Sequence, residues 1–310
     1  MSKRYPSFAC TAPAFLKKGD RIALVSPSYF TPMENVTGAA EVLREWGFEP
    51  VVGPHVGRIV SGQYAGTPGE RAEDLRWALE DPSIKAILCN RGGYGTLQLL
   101  DLLQMETFAA RAKWLIGYSD ITTLLEMEAC AGVMGIHGAM CSHIAPAQGR
   151  DRSSLLLRDL LLGDIPAYTL PSHPLNRFGK ASGTLIGGNL STIVPLLDTW
   201  ADATRRRDII LFIEEVEESM HHIDRLLRIL LRHGVFDRCR ALVLGEFTGC
   251  GNEFDYGSVE AMVLDILQEY DFPVLCGFPA GHGEENLPLM MGAPVTVDIR
   301  DEGAALTFII

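Results

Sequence analysis

The chain has 310 residues, 47% of them hydrophobic and 21% charged, which excludes a disordered polypeptide and leaves room for one large domain or two ordinary ones. Its formal net charge of −12 argues against nucleic acid or an anionic membrane surface as the main partner, and an acidic substrate would need a local cationic pocket. Seven scattered cysteines without a C-x-x-C pair, and no apolar run of signal-peptide or transmembrane length, predict a reduced, soluble, cytoplasmic protein.

In chain order, RIALVS (residues 21–26) closed by Pro27 predicts a first buried strand. Val36, Ala39, Ala40, Leu43 and Trp46 share one helical face that stops at Gly47, and a short strand follows at residues 49–52. Residues 53–69 are glycine-rich loop, residues 70–79 a charged amphipathic helix ended by Asp81-Pro82, and residues 85–89 (KAILC) a buried strand. That strand runs into Asn90-Arg91-Gly92-Gly93-Tyr94-Gly95-Thr96, and Leu97, Leu99, Leu100 and Leu103 predict a helix after it. Residues 114–117 form the next strand. Apolar strands alternating with amphipathic helices imply a parallel sheet covered on both faces, a three-layer α/β domain whose ligand crevice lies at the carboxyl ends of the strands.

Composition shifts after His143. A helix at residues 154–162 leads into residues 163–179, which hold three prolines and little periodicity. The expected organisation is an N-terminal domain (1–163), a crossover linker (164–180) and a smaller C-terminal α/β domain (181–310), with the active site at their interface. Gly183-Thr184-Leu185-Ile186-Gly187-Gly188-Asn189-Leu190 suggests close backbone approach, with the first domain as the expected neighbour. Residues 208–213 (DIILFI) predict a strand ending in Glu214-Glu215-Val216-Glu217-Glu218, followed by a helix carrying Met220, Ile223, Leu226, Leu227 and Leu230. Strands at 241–245 and 273–277, a helix at 259–269, and a terminal hairpin of 295–299 and 305–310 complete the chain.

The chemistry concentrates at Trp114-Leu115-Ile116-Gly117-Tyr118-Ser119-Asp120-Ile121-Thr122. A buried strand, a tight turn and an immediate helix present Ser119 on a corner, with the free N–H groups of the new helix beside it. Helix capping by Ser119 or Asp120 is the alternative reading. A serine hydroxyl needs a base near pKa 7 and a group to orient that base. His282, in the loop Gly281-His282-Gly283 at a strand's carboxyl end, is the candidate base. One of the acids between Glu214 and Glu218 is the candidate orienter, and Glu214 is the one that helix-dipole complementarity explains least, because it still belongs to the strand. The Gly92–Gly95 segment lacks the spacing of a dinucleotide fingerprint and makes better sense offering bare N–H groups to an oxyanion, or simply as a turn.

Other constellations are weaker. His221-His222 near Glu217 and Glu218 lacks an H-E-x-x-H frame, so no metal and no cofactor are expected. Cys89 and Cys130 fall in apolar or small-residue elements, the setting of inert thiols rather than nucleophiles. His137 and His143 suit packing or support roles.

Arg91-Gly92-Gly93-Tyr94-Gly95, Gly117-Tyr118-Ser119-Asp120, Gly187-Gly188-Asn189-Leu190, Phe212-Ile213-Glu214-Glu215 and Gly281-His282 occur together in this order. The combination resembles the LD-carboxypeptidase family of serine peptidases, which includes the microcin C self-immunity peptidases, over residues 17–296. The resemblance implies Ser119 as nucleophile, His282 as base and then acid, and Glu214 as orienter. It implies an oxyanion hole from the N–H groups of Asp120 and Gly93, and a homodimer. The family often has Asp where Glu215 stands. The implied substrate is a cytoplasmic murein tetrapeptide that loses its C-terminal D-alanine in cell-wall recycling. Arg91 is a candidate to hold the terminal carboxylate, or else to tether the glycine loop. The alternative activity is cleavage of a peptidyl- or aminoacyl-nucleotide bond. Microcin-type relatives tend to carry an aromatic loop that stacks a nucleobase, whereas residues 163–179 here have Tyr168 and Phe178 but no Trp. A third reading, a ligand-binding protein without catalysis, would need no nucleophile.

Overall fold

A computed structural model describes residues 10–251 and 256–310, and these fall into two compact units. The first comprises Cys10–Ile165 and Leu287–Met291; the second comprises Pro166–Asn286 and Gly292–Ile310. Residues 1–9, counted above with the N-terminal domain, lie outside the described residues.

In the first unit, β1 (Arg21–Val25), β2 (Glu49–Val52), β3 (Ile84–Cys89), β4 (Trp114–Gly117) and β5 (Gly135–His137) form a parallel sheet in the order β2-β1-β3-β4-β5. The helices are α1 (Met33–Glu45), α2 (Pro68–Glu80), α3 (Met105–Ala109), α4 (Thr122–Cys130), α5 (Cys141–Ile144) and α6 (Arg152–Leu161). Helix α1 packs on α5, while α2 packs on α3 and α3 on α4, giving helical layers around a central sheet. Sequence drives this locally. Val36, Ala39, Ala40 and Leu43 bury one face of α1. Thr67 and Glu70 close a reciprocal capping box at the start of α2, with Pro68 in its first turn. The strand order reverses between β1 and β3, so the loops leaving these two strands diverge there and open a crevice.

In the second unit, β6 (Ala167–Leu170), β7 (Gly179–Asn189), β8 (Ile209–Val216), β9 (Cys239–Thr248) and β10 (Val274–Leu275) precede β11 (Leu289–Met291), which belongs to the first unit, and then β12 (Pro294–Arg300) and β13 (Gly303–Phe308). The sheet runs β10-β9-β8-β7-β12-β13-β6. Strands β7 to β10 are parallel, whereas β12, β13 and β6 add antiparallel. Its helices are α7 (Leu190–Ile193), α8 (Met220–Arg232) and α9 (Val259–Ile266), with Ile223, Leu227 and Leu230 of α8 buried as the spacing predicts.

Four expectations change. Residues 164–180 are not a linker, because β6 pairs with β13 and Gly179 already starts β7. Residues 287–291 leave the C-terminal domain, because β11 pairs antiparallel with β5. Residues 183–189 are strand, and the close approach is to β8: a Cβ on Gly187 would lie 2.0 Å from the Phe212 carbonyl oxygen. The helix expected after Thr96 is a single 3-10 turn, Thr96–Leu99, whose first residue is held to Asp120 through its backbone N–H and hydroxyl.

Candidate active site

Ser119 stands between the end of β4 and a 3-10 turn, Ser119–Ile121, that leads directly into α4. Its φ is +62°, in the left-handed region that a non-glycine residue occupies at a cost of order 1–3 kcal/mol. The corner is tight because Ile121 folds back onto Gly117, where a Cβ would lie 2.8 Å from Ile121 Cγ2. Strain of this kind, held by surrounding packing, lifts a hydroxyl out of the sheet and toward the crevice.

The Arg91–Gly95 loop lies directly over this corner. A Cβ on Gly92 would lie 2.9 Å from Ser119 Cβ and 3.0 Å from Ser119 Oγ. Gly93 has φ +120° and sits against the ring of Tyr29, whose N–H donates to the Gly92 carbonyl (3.4 Å). Asp120 is buried and ties the corner to both loops that leave the switch point. Its Oδ2 accepts from Ser28 Oγ (2.6 Å) and from the Thr96 N–H (2.9 Å), and its carbonyl accepts from Thr96 Oγ1 (2.6 Å). Its carboxylate therefore anchors the turn. Arg91 is exposed. The tether of the loop is instead Arg71, on α2, whose guanidinium donates to the Gly95 carbonyl (2.9 Å). Sequence reasoning missed Arg71, although an arginine sharing a helical face with Asp74, Leu75 and Ala78 is a legible anomaly.

In the second unit, His282 Nδ1 and Glu214 Oε2 are 2.7 Å apart. Glu214 is 0% exposed inside β8, and the His282 side chain is 18% exposed. Backbone bonds running alongside β9 hold the histidine loop: Phe278 N to Leu244 O (2.9 Å) and Glu246 N to Ala280 O (2.9 Å). Asn286 Oδ1 accepts the Gly281 N–H at 3.0 Å. Burial pushes the Glu214 carboxyl up, against the pull of the facing imidazole. Burial alone would push His282 down, but its bond to Glu214 and the charges of Glu214, Glu215 and Glu217 outweigh this and hold it above the ordinary histidine value. The pair therefore keeps its proton to higher pH than a free imidazole would.

Glu215 does something else. Its carboxylate accepts from Asn189 Nδ2 (2.8 Å), the Ser191 N–H (2.8 Å), Ser191 Oγ (2.6 Å) and the Val216 N–H (3.0 Å), clasping the end of β8 to the start of α7. Glu218 pairs with His222 at 2.6 Å. Among the described residues no group of three or more His, Cys, Asp or Glu side chains is arranged to hold a metal ion. Cys89 is buried and its thiol is pushed well up, chiefly by burial, which is the opposite of nucleophile activation. His137 is buried beside the Tyr118 ring, and His143 pairs with Asp151 at 3.1 Å. His282 also lines an open cavity of about 740 Å³ with Glu246, Thr248, Pro279, Gly283, Glu284 and Glu285. Among the described residues no helix is long and apolar enough to cross a membrane.

A strained serine on a strand-to-helix corner, and an imidazole backed by a buried carboxylate, are the components that serine-type hydrolases use. Residues 22–138 match the LD-carboxypeptidase N-terminal domain and residues 182–297 the LD-carboxypeptidase C-terminal domain, and the chain belongs to that family of carboxypeptidases. It is 36% identical to a putative carboxypeptidase of Streptomyces coelicolor, over 92% of this chain and 93% of the relative. It is 31% identical to the murein tetrapeptide carboxypeptidase of Pseudomonas aeruginosa, over 86% and 89% of the two chains. The solved apo structure of the microcin C7 self-immunity protein MccF superposes with a TM-score of 0.83 at 25% identity, covering 97% of this chain and 98% of that one.

Proposed function

We propose that this protein is a cytoplasmic serine LD-carboxypeptidase that releases the C-terminal D-alanine of murein tetrapeptides in cell-wall recycling. The observation that carries the reading is the Glu214 carboxylate, buried in β8 and 2.7 Å behind His282 Nδ1. With Nδ1–H held there, the imidazole lone pair that takes a proton is on Nε2. Ser119 Oγ attacks the carbonyl of the terminal peptide bond as His282 Nε2 accepts its proton, which requires the two atoms to come within ~2.6–3.2 Å in the substrate complex. The N–H groups of Gly93 and Asp120 receive the developing oxyanion, each worth ~10²–10³-fold in rate. His282 then returns the proton to the departing D-alanine amine, and water hydrolyses the acyl ester by the same route in reverse. Arg91, exposed and next in the chain to the Gly92 that touches Ser119, takes the terminal carboxylate of the substrate.

Two features favour murein over a nucleotide-linked substrate. The cavity beside His282 is lined by Glu246, Glu284 and Glu285, which suit the ammonium of a diamino acid and repel a phosphate. Of the two aromatic residues in 163–179, Tyr168 is buried against Phe278 (ring centroids 5.3 Å apart) and does not offer a face for a base to stack on, which leaves the exposed Phe178 alone.

The test is incubation with L-Ala-D-Glu-meso-diaminopimelate-D-Ala and mass spectrometry for tripeptide, with Ser119→Ala in parallel. Tripeptide from the parent alone supports the reading. Cleavage of an aspartyl-adenylate mimic in its place assigns the microcin-type activity, and binding without turnover that survives Ser119→Ala assigns a non-catalytic ligand-binding protein. The homodimer expected from the family resemblance is read by light scattering on the same preparation.

A further inference from the structure

Arg71 is a full cation in the core of the first unit, 1% exposed, and the acyl-transfer scheme gives it no step. Its Nη1 donates to the carbonyls of Pro27 (2.7 Å) and Gly95 (2.9 Å), its Nη2 to Gln98 Oε1 (2.5 Å), and its guanidinium lies 5.4 Å from the centre of the Tyr64 ring. Pro27 and Gly95 belong to the loops that leave β1 and β3, the two walls of the switch-point crevice. Asp120 binds the residue following each of them, Ser28 and Thr96. The peptide unit between Gly95 and Thr96 is therefore clamped on both sides, its carbonyl on the Arg71 guanidinium and its N–H on the Asp120 carboxylate. One rotation of that peptide plane would swing the preceding glycines relative to Ser119, and glycine resists such a rotation least of all residues.

We propose that Arg71 is a positioning residue for the reaction: by fixing the Gly95–Thr96 peptide plane against Asp120, it holds the Gly92–Gly93 segment over Ser119 in the orientation that receives the oxyanion. This rests on the serine-hydrolase reading above. Both Nη groups of Arg71 are matched by acceptors while its Nε is buried without one, and a lysine in its place would supply a point charge rather than a planar fork.

The test measures the rate of Ser119 labelling by a fluorophosphonate, which needs the activated serine and the oxyanion site but no particular peptide, together with kcat and KM on the tetrapeptide. The variants are Arg71→Met and Arg71→Lys. Expected for Arg71→Met is a loss of about 10²-fold in both labelling rate and kcat, with KM changed less than about threefold. Arg71→Lys, which keeps the buried charge, should retain its melting temperature within a few degrees and still lose about tenfold or more. Should Arg71→Met fail to fold, Arg71→Lys alone decides. A lysine variant that labels at the parent's rate overturns the proposal, as does one whose kcat and labelling rate fall only in proportion to its loss of folded protein, with KM unchanged. A parent enzyme that is not labelled at all overturns the serine-hydrolase reading itself, an outcome distinct from a labelled parent with an equally labelled variant.

Discussion

His282 and Glu214 stand 2.7 Å apart, with the carboxylate wholly enclosed in β8 and the imidazole partly open to a cavity. A proton shared by this pair is held more tightly than by an isolated imidazole, because His282 is raised by Glu214, Glu215 and Glu217 against the opposing effect of burial. The base form of His282, which the proposed mechanism needs, therefore appears at higher pH than for a free histidine. The acidic limb of kcat/KM should lie above the ordinary histidine value. Glu214→Gln should move it back down and lower kcat by about 10⁴-fold. A pH–rate profile on both proteins checks this. The sign for stability follows: the raised histidine stabilises the fold at pH below its unfolded value, and that contribution is lost as pH rises through the folded one.

The neighbouring glutamate should behave in the opposite way. Glu215→Ala removes the acceptor that Asn189 Nδ2, the Ser191 N–H and hydroxyl, and the Val216 N–H share, in a place buried at Asn189 and half-buried at Ser191 and Val216. A loss of about 3 kcal/mol in urea denaturation is expected, larger than for Glu214→Gln, which keeps its shape and volume.

Strain at Ser119 has its own signature. With φ at +62°, glycine fits that backbone better than alanine does. Ser119→Gly should be about 0.5–1 kcal/mol more stable than Ser119→Ala, while both lose several orders of magnitude in kcat. Denaturation midpoints of the two variants, measured side by side, decide it.

Gly92 is set by the serine it touches. A methyl at this position would meet Ser119 Cβ at 2.9 Å and Ser119 Oγ at 3.0 Å. Gly92→Ala should displace Ser119, costing about 1–3 kcal/mol of stability and, on the proposed mechanism, most of the activity. Gly93→Ala adds a positive φ and a methyl 2.3 Å from Tyr29 Cδ2, so it should be the less stable of the two. Melting temperatures and active-site labelling on both variants are the measurement.

Much of this was legible along the chain. The strands β1 to β4, the helices α1, α2 and α8, the terminal hairpin and the serine corner all follow from hydrophobic periodicity and turn chemistry, which act over a few residues. The elements that escaped are those whose reason is distant. β7 is rich in glycine because its backbone runs against β8, and β11 is a strand because β5 offers it an edge.

The same division holds at the site. By itself the sequence determined the serine corner, the glycine loop and a histidine in a glycine-flanked turn, because each is a local backbone device. Which of two adjacent glutamates backs the histidine was decided by the tertiary structure, since consecutive residues of a strand point to opposite faces and only the packed sheet says which face the His282 loop covers. The part played by Arg71 was decided there too, because a buried guanidinium takes its meaning from carbonyls that lie 44 and 24 residues away in the chain and meet only in the folded protein.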